Sequence, residues 1–168
     1  PADIDESPRD NEPPMELVAR LASEKAQAVK AYLEDLQAMT DDKVILASDT
    51  LISFNGQSVG KPEDKADSKR ILTMLSGKTH DVLTAICVLD NAQQQTQVIT
   101  TSVTFAALTD EQIDAYWETG EPADKAGSYA IQGIGGEFVV SINGSASAVI
   151  GLPLYETRQL LNAFGVVS

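Results

Sequence analysis

The stretch KVILASDTLISFNGQSVG, residues 43–60, carries two β signals back to back. Residues 43–48, KVILAS, form a short and nearly continuous apolar run, the pattern of a strand buried on both faces, and it ends on the polar pair Asp49 and Thr50. LISF and QSVG flank Asn55 and Gly56, the favoured two-residue turn, so a hairpin is predicted next. Upstream, Met15, Val18, Leu21, Ala22, Val29, Tyr32, Leu33 and Leu36 recur at helical spacing behind Pro13 and Pro14, which predicts a long amphipathic helix. Downstream, Pro62 stands where a second helix would begin, with Glu63 and Asp64 in its first turn and Gly77 closing it.

HDVLTAICVLD and TQVITTSVTFAAL, joined by NAQQQ, read as an antiparallel pair of strands. Thr109 and Gln112 make a capping box for the helix DEQIDAYWETG, which ends at Gly120. A loop with four glycines follows, DKAGSYAIQGIGG (124–136), then the strand EFVVSI, a turn at Asn143 and Gly144, and a final helix in LPLYETRQLLNAF. This order of helices with both paired and separated strands favours an α/β domain built on a mixed sheet. At 168 residues, 43% hydrophobic but only 5% aromatic, the chain predicts one domain with a core of Val, Ile, Leu and Ala.

Net charge is −13, from 25 acidic and 12 basic residues, which argues against a nucleic-acid polymer or an anionic membrane as partner. It leaves room for a small phosphorylated ligand, because lysines, amides and a divalent cation can reverse the potential in one pocket. The apolar runs are strand-length, no signal-peptide pattern is present, and Cys87 is the single cysteine, so a cytoplasmic protein is expected.

Asp49 is the first candidate for a functional carboxylate, since ligands of open α/β sheets gather at the carboxyl ends of strands; an Asp that starts a turn is an even alternative. Lys61, just before a predicted helix N-terminus, suits a phosphate, against the plainer reading of a solvated lysine. Glu6 is either a second oxygen ligand for Mg²⁺ or part of a solvated acidic tail. Lys25 lies on the polar side of the first helix, where most lysines pair or point to water. His80, the only histidine, has no nucleophile elbow beside it and is read as structural. Cys and His are too few for a metal cluster, and the glycine loop matches neither the dinucleotide fingerprint nor the P-loop.

The ordered segments ASDTLISFNG, GKPED, LSGKTH, VTFAALTDEQIDAYWETGEPADKAGSYAIQGIGG and INGSASAVIGLPL together resemble the Maf family of nucleotide pyrophosphatases, over essentially the whole chain. The resemblance implies an elongated mixed sheet flanked by helices, two lobes around a central cleft, and a homodimer. It implies hydrolysis of a nucleoside triphosphate to the monophosphate and pyrophosphate with Mg²⁺ or Mn²⁺. By motif, Asp49 matches the central catalytic and metal-binding acid; Glu6 matches a second acid of the cleft, on the metal and the substrate. Lys25 and Lys61 match the cleft lysines, while Thr50 and Gln132 match positions associated with substrate choice.

SDT and IQG together favour the branch acting on dTTP and UTP over the branch acting on 7-methyl-GTP. A non-catalytic nucleotide-binding regulator of septum formation is the alternative from another class. Family members begin with a strand and an SxSPRR loop, and the segment ESPRD (6–10) aligns after that loop. The expectation is therefore a single domain over 1–168 without that strand and loop.

Overall fold

The computed structural model describes residues 4–166, so residues 1–3 and 167–168 of the expected domain lie outside the described residues. The chain runs α1 (Pro14–Asp35), β1 (Ile45–Phe54), β2 (Gln57–Val59), α2 (Lys65–Leu75), β3 (Thr79–Leu89), β4 (Gln94–Phe105), α3 (Asp110–Glu118), β5 (Val139–Asn143), α4 (Ala146–Ile150) and α5 (Leu154–Ala163). Three short 3-10 turns, Glu121–Asp124, Ala126–Ser128 and Ile134–Phe138, fill the segment between α3 and β5.

The strands form one sheet in the order β2-β1-β3-β4-β5. The expected α/β class holds, with helices on both faces. The expected mixed pairing does not: among the described residues all four strand interfaces are antiparallel. The reason lies in the hairpin. Asn55 and Gly56, at φ 51° and 77°, turn the chain into β2, so it has already reversed before α2 begins, and β3 returns opposite to β1.

Strand β3, rather than the 43–48 run, is the one buried on both faces. Its Leu83, Ala85, Cys87 and Leu89 pack with Ile45 and Leu51 of β1 under Leu17, Val18 and Leu21 of α1. Its Ile86 and Val88 face the other way, against Leu160 of α5. Further along that second face, Val82, Ile52 and Val103 join Ile71, Leu72 and Leu75 of α2 and Ile113 and Tyr116 of α3. Strand alternation thus divides the core into an α1 side and an opposite side. Cys87 is fully buried, as a small core residue should be.

Two helix starts show how local chemistry sets the ends. The capping box at α3 forms as read: the Thr109 hydroxyl accepts from the Gln112 amide, and the Gln112 side chain accepts from the Thr109 amide. Helix α2 begins at Lys65 instead of Pro62, because the Asp64 carboxylate accepts from the Asp67 amide at 2.8 Å and acts as the cap.

Candidate functional site

Asp49 does not sit at the end of a strand; β1 runs straight through it to Phe54. The polar pair leaves the strand intact because each side chain finds a partner on its own face. Asp49 lies between Ala47 and Leu51 on the α1 side, where Lys25 of α1 donates to its carboxylate. The same ammonium reaches Glu6 at 2.8 Å, so the N-terminal segment, α1 and β1 meet at one point. The Asp49 side chain is only 10% exposed and Glu6 is 60% exposed, so one carboxylate is fixed and the other is at the rim.

Burial pushes the Asp49 carboxyl above its ordinary value, and the hydrogen bond and charge of Lys25 pull it only part of the way back. Burial would by itself depress the Lys25 ammonium, but its bonds to Asp49 and Glu6 outweigh that and hold it above the usual lysine value. Lys25 therefore stays charged between two acids. The polar side of α1, expected to be solvated here, is instead turned inward at this residue.

Thr50 points to the opposite face. It stands directly across from Thr84 on β3, hydroxyl to hydroxyl at 3.0 Å. Thr84 is buried and its hydroxyl lies 2.7 Å from the carbonyl oxygen of Ala148 in α4. A carbonyl has no proton to give, so the Thr84 proton is committed to Ala148 and Thr50 must donate to Thr84. What Thr50 then turns to its surroundings is a pair of acceptor lone pairs. Ser48, two residues earlier on the same face, bonds the carbonyl of Gly151 at 2.7 Å, which ties the end of α4 to β1.

Between these elements lies a pocket of about 330 Å³, whose walls include Thr50, Ile52, Tyr129, Ile131, Gln132 and Ile150. That size and half-apolar character suit the planar part of a small molecule. His80, as read, is structural: it is 2% exposed, its Nε2 bonds the Tyr129 hydroxyl at 2.8 Å, and its ring packs edge-on against Phe105 and Tyr129. Burial lowers its pKa to about 4, so it is neutral under the pocket.

The structure thus brings Glu6, Lys25 and Asp49 together on one face and Thr50 and Gln132 together on the other. Lys61 joins neither group by direct contact. It is exposed in the β2–α2 connection, four residues ahead of α2 rather than at its N-terminus, so the helix-end argument for it does not apply. That connection does touch the glycine loop, through the Gly127 amide and the Gly60 carbonyl at 3.0 Å. Lys125 lines the pocket and pairs with Asp124 at 3.2 Å.

Sequence reasoning passed over Thr84 and Glu121. Thr84 gives no signal inside an apolar run. Glu121 sits between Gly120 and Pro122 ahead of four glycines, and a carboxylate beside so much free backbone amide is a cue that was there to use.

The fold is an α/β domain whose antiparallel sheet carries a buried acid and lysine on one face and a largely apolar pocket on the other. The chain belongs to the Maf family, whose model, described as Maf-like protein, matches residues 1–164. Its relatives include proteins named dTTP/UTP pyrophosphatase. One from Colwellia psychrerythraea is 51% identical over 166 residues, 99% of this chain and 77% of the relative. One from Shewanella oneidensis is 48% identical over 165 residues, covering 98% and 83%. One from Pseudoalteromonas atlantica is 50% identical over 161 residues, covering 96% and 82%. Among the described residues no helix is long and apolar enough to cross a membrane.

Proposed function

We propose that the chain hydrolyses dTTP and UTP to the nucleoside monophosphate and pyrophosphate. The observation that carries this reading is the shared name of relatives about half identical along nearly the whole chain. The two unlike faces of β1 support it, because a nucleotide offers charge at one end and a neutral hydrogen-bonding ring at the other. The triphosphate faces Lys25 and Asp49, with Lys61 at the rim, and the base faces Thr50 and Gln132.

In the reaction a water oxygen attacks the α-phosphorus in line, the bond to the bridging oxygen breaks, and pyrophosphate leaves. Asp49 holds that water and takes its proton; a carboxyl raised by burial is better matched to this task than an exposed one. Lys25 donates to phosphate oxygens and stabilises the charge that develops on them. At the base, Thr50 accepts from the imide N–H of uracil or thymine, and the Gln132 carboxamide both donates and accepts at the carbonyl and imide edge.

Glu6 and Asp49, which both reach Lys25, are near enough to one another to share a divalent cation such as Mg²⁺ or Mn²⁺, which takes one or two acids from protein and completes its shell with phosphate and water. No group of three or more His, Cys, Asp or Glu able to hold a metal occurs among the described residues; Asp49 and Glu6 are proposed as donors alongside the substrate phosphates. When bound there, the cation supplies charge neutralisation at the phosphates. The activity belongs to the cytoplasm and to nucleotide metabolism, in a homodimer for which exposed Leu154 and Tyr155 offer apolar surface to a second copy.

The test is to incubate the chain with dTTP, UTP and GTP, with and without Mg²⁺ or Mn²⁺, and assay pyrophosphate. Release from dTTP and UTP is expected; binding without product from any nucleotide would overturn the reading.

A further inference from the structure

The Glu121 carboxylate is the hub of the loop that holds Gln132. Its Oε1 accepts from the Ile134 amide at 2.9 Å, and its Oε2 accepts from the Gly135 amide at 2.9 Å and from the Tyr116 hydroxyl. The Tyr116 oxygen in turn accepts from the Ala130 amide at 3.1 Å. One carboxylate and one phenol therefore bind the backbone two residues before Gln132 and two and three residues after it.

The glycines record how close this clamp lies. A Cβ on Gly133 would sit 1.9 Å from Glu121 Oε1, and one on Gly135 would sit 2.5 Å from the Tyr116 oxygen. Tyr116 itself is pinned in the core between α2 and α3, edge-on to Phe138 with centroids 5.0 Å apart. Gly120, at φ 77°, turns the chain so that Glu121 falls back against the end of α3. The loop amides together with the phenol hold the carboxyl below its ordinary value against the burial that would raise it. The same burial and the bonded carboxylate keep the phenol protonated. The clamp is thus an ionised acceptor facing fixed donors, the strong kind of hydrogen bond.

We infer that Glu121, with Tyr116 behind it, is a positioning residue that sets nucleotide choice by fixing where the Gln132 side chain enters the pocket. This rests on the reading that Gln132 faces the base. A loop of residues 130–136 without the clamp would keep its glycine freedom and let Gln132 sample other positions. The cost would fall on recognition of the right base and not on the water attack at the other face of β1.

The experiment measures kcat and KM for UTP and GTP in Glu121→Gln, Tyr116→Phe, Gln132→Ala and the double variant Glu121→Gln with Gln132→Ala. The expected result for Glu121→Gln is a fall of about ten-fold in the UTP to GTP ratio of kcat/KM, carried by KM for UTP. Tyr116→Phe keeps the packed ring and loses the bridge to Ala130, so a smaller fall in the same direction is expected. It serves alone if the Glu121 variant does not fold. In the double variant the ratio should be no lower than in Gln132→Ala.

If Gln132→Ala leaves the ratio unchanged, the base-pocket reading fails. If Gln132→Ala lowers it but the clamp variants do not, or if they lower kcat equally for both nucleotides, the positioning role fails.

Discussion

Asp49 and Thr50 are neighbours in the chain and inhabit different chemistries. On the α1 side a buried carboxylate is locked to an ammonium, in surroundings that shift both groups away from their ordinary values. On the opposite side a chain of neutral hydroxyls, Thr50 to Thr84 to the Ala148 carbonyl, fixes a donor direction with no net charge. A strand can do this because consecutive side chains leave opposite faces, and each face is covered by its own helix. Two adjacent residues thus occupy a charged and a neutral environment without sharing either.

The largest effect is expected at Asp49. Asp49→Asn removes the proposed proton acceptor and one proposed metal ligand, and a loss of about 10³-fold in kcat is expected for dTTP and UTP alike. Retention of near wild-type turnover would show that the α1 face is structural. With Asp49 as the proposed base, the acid limb of kcat/KM in the unmodified chain is expected above the ordinary aspartate range, because burial raises its carboxyl.

On the pocket face the sharpest lever is His80, neutral in the fold with a pKa lowered to about 4 from 6.5. Its contribution to stability is present above pH 6.5, where folded and unfolded chains are both neutral. As pH falls the unfolded chain takes up the proton first. A loss of roughly 3 kcal/mol between pH 6.5 and 4 follows, and in His80→Gln that part of the acid slope should vanish from denaturant melts. An unchanged slope would mean that the His80–Tyr129 floor of the pocket is not what acid attacks.

A smaller effect, about ten-fold, is expected for Gln132→Glu, which replaces a group that donates and accepts with one that only accepts. Turnover of dTTP and UTP should fall selectively, checked as kcat/KM against GTP. An equal loss for all nucleotides would separate Gln132 from base reading.

Much of this molecule is legible in the sequence, and the parts that are not share a cause. Asn55 and Gly56, the Thr109 to Gln112 box and the β3–β4 pair are local signals, and they form as read. Asp49 looks like a strand end because its partner, Lys25, is 24 residues away on a helix whose orientation no local pattern records. Helix α2 starts later than Pro62 suggests because the Asp64 carboxylate caps it. The five-residue α4, held to β1 and β3 through Ser48 and Thr84, is too short to show a period. The candidate residues were visible as residue types; their division between two faces was not, because it depends on which helix covers which side.

In the proposed site Thr50 reads the base while Asp49 acts at the phosphates. The direct measurement is the UTP to GTP ratio of kcat/KM in Thr50→Val, a substitution that keeps shape and removes the acceptor. A fall of about ten-fold in that ratio is expected, with GTP turnover little changed. An unchanged ratio, or an equal collapse for both nucleotides of the kind expected at Asp49, would contradict it.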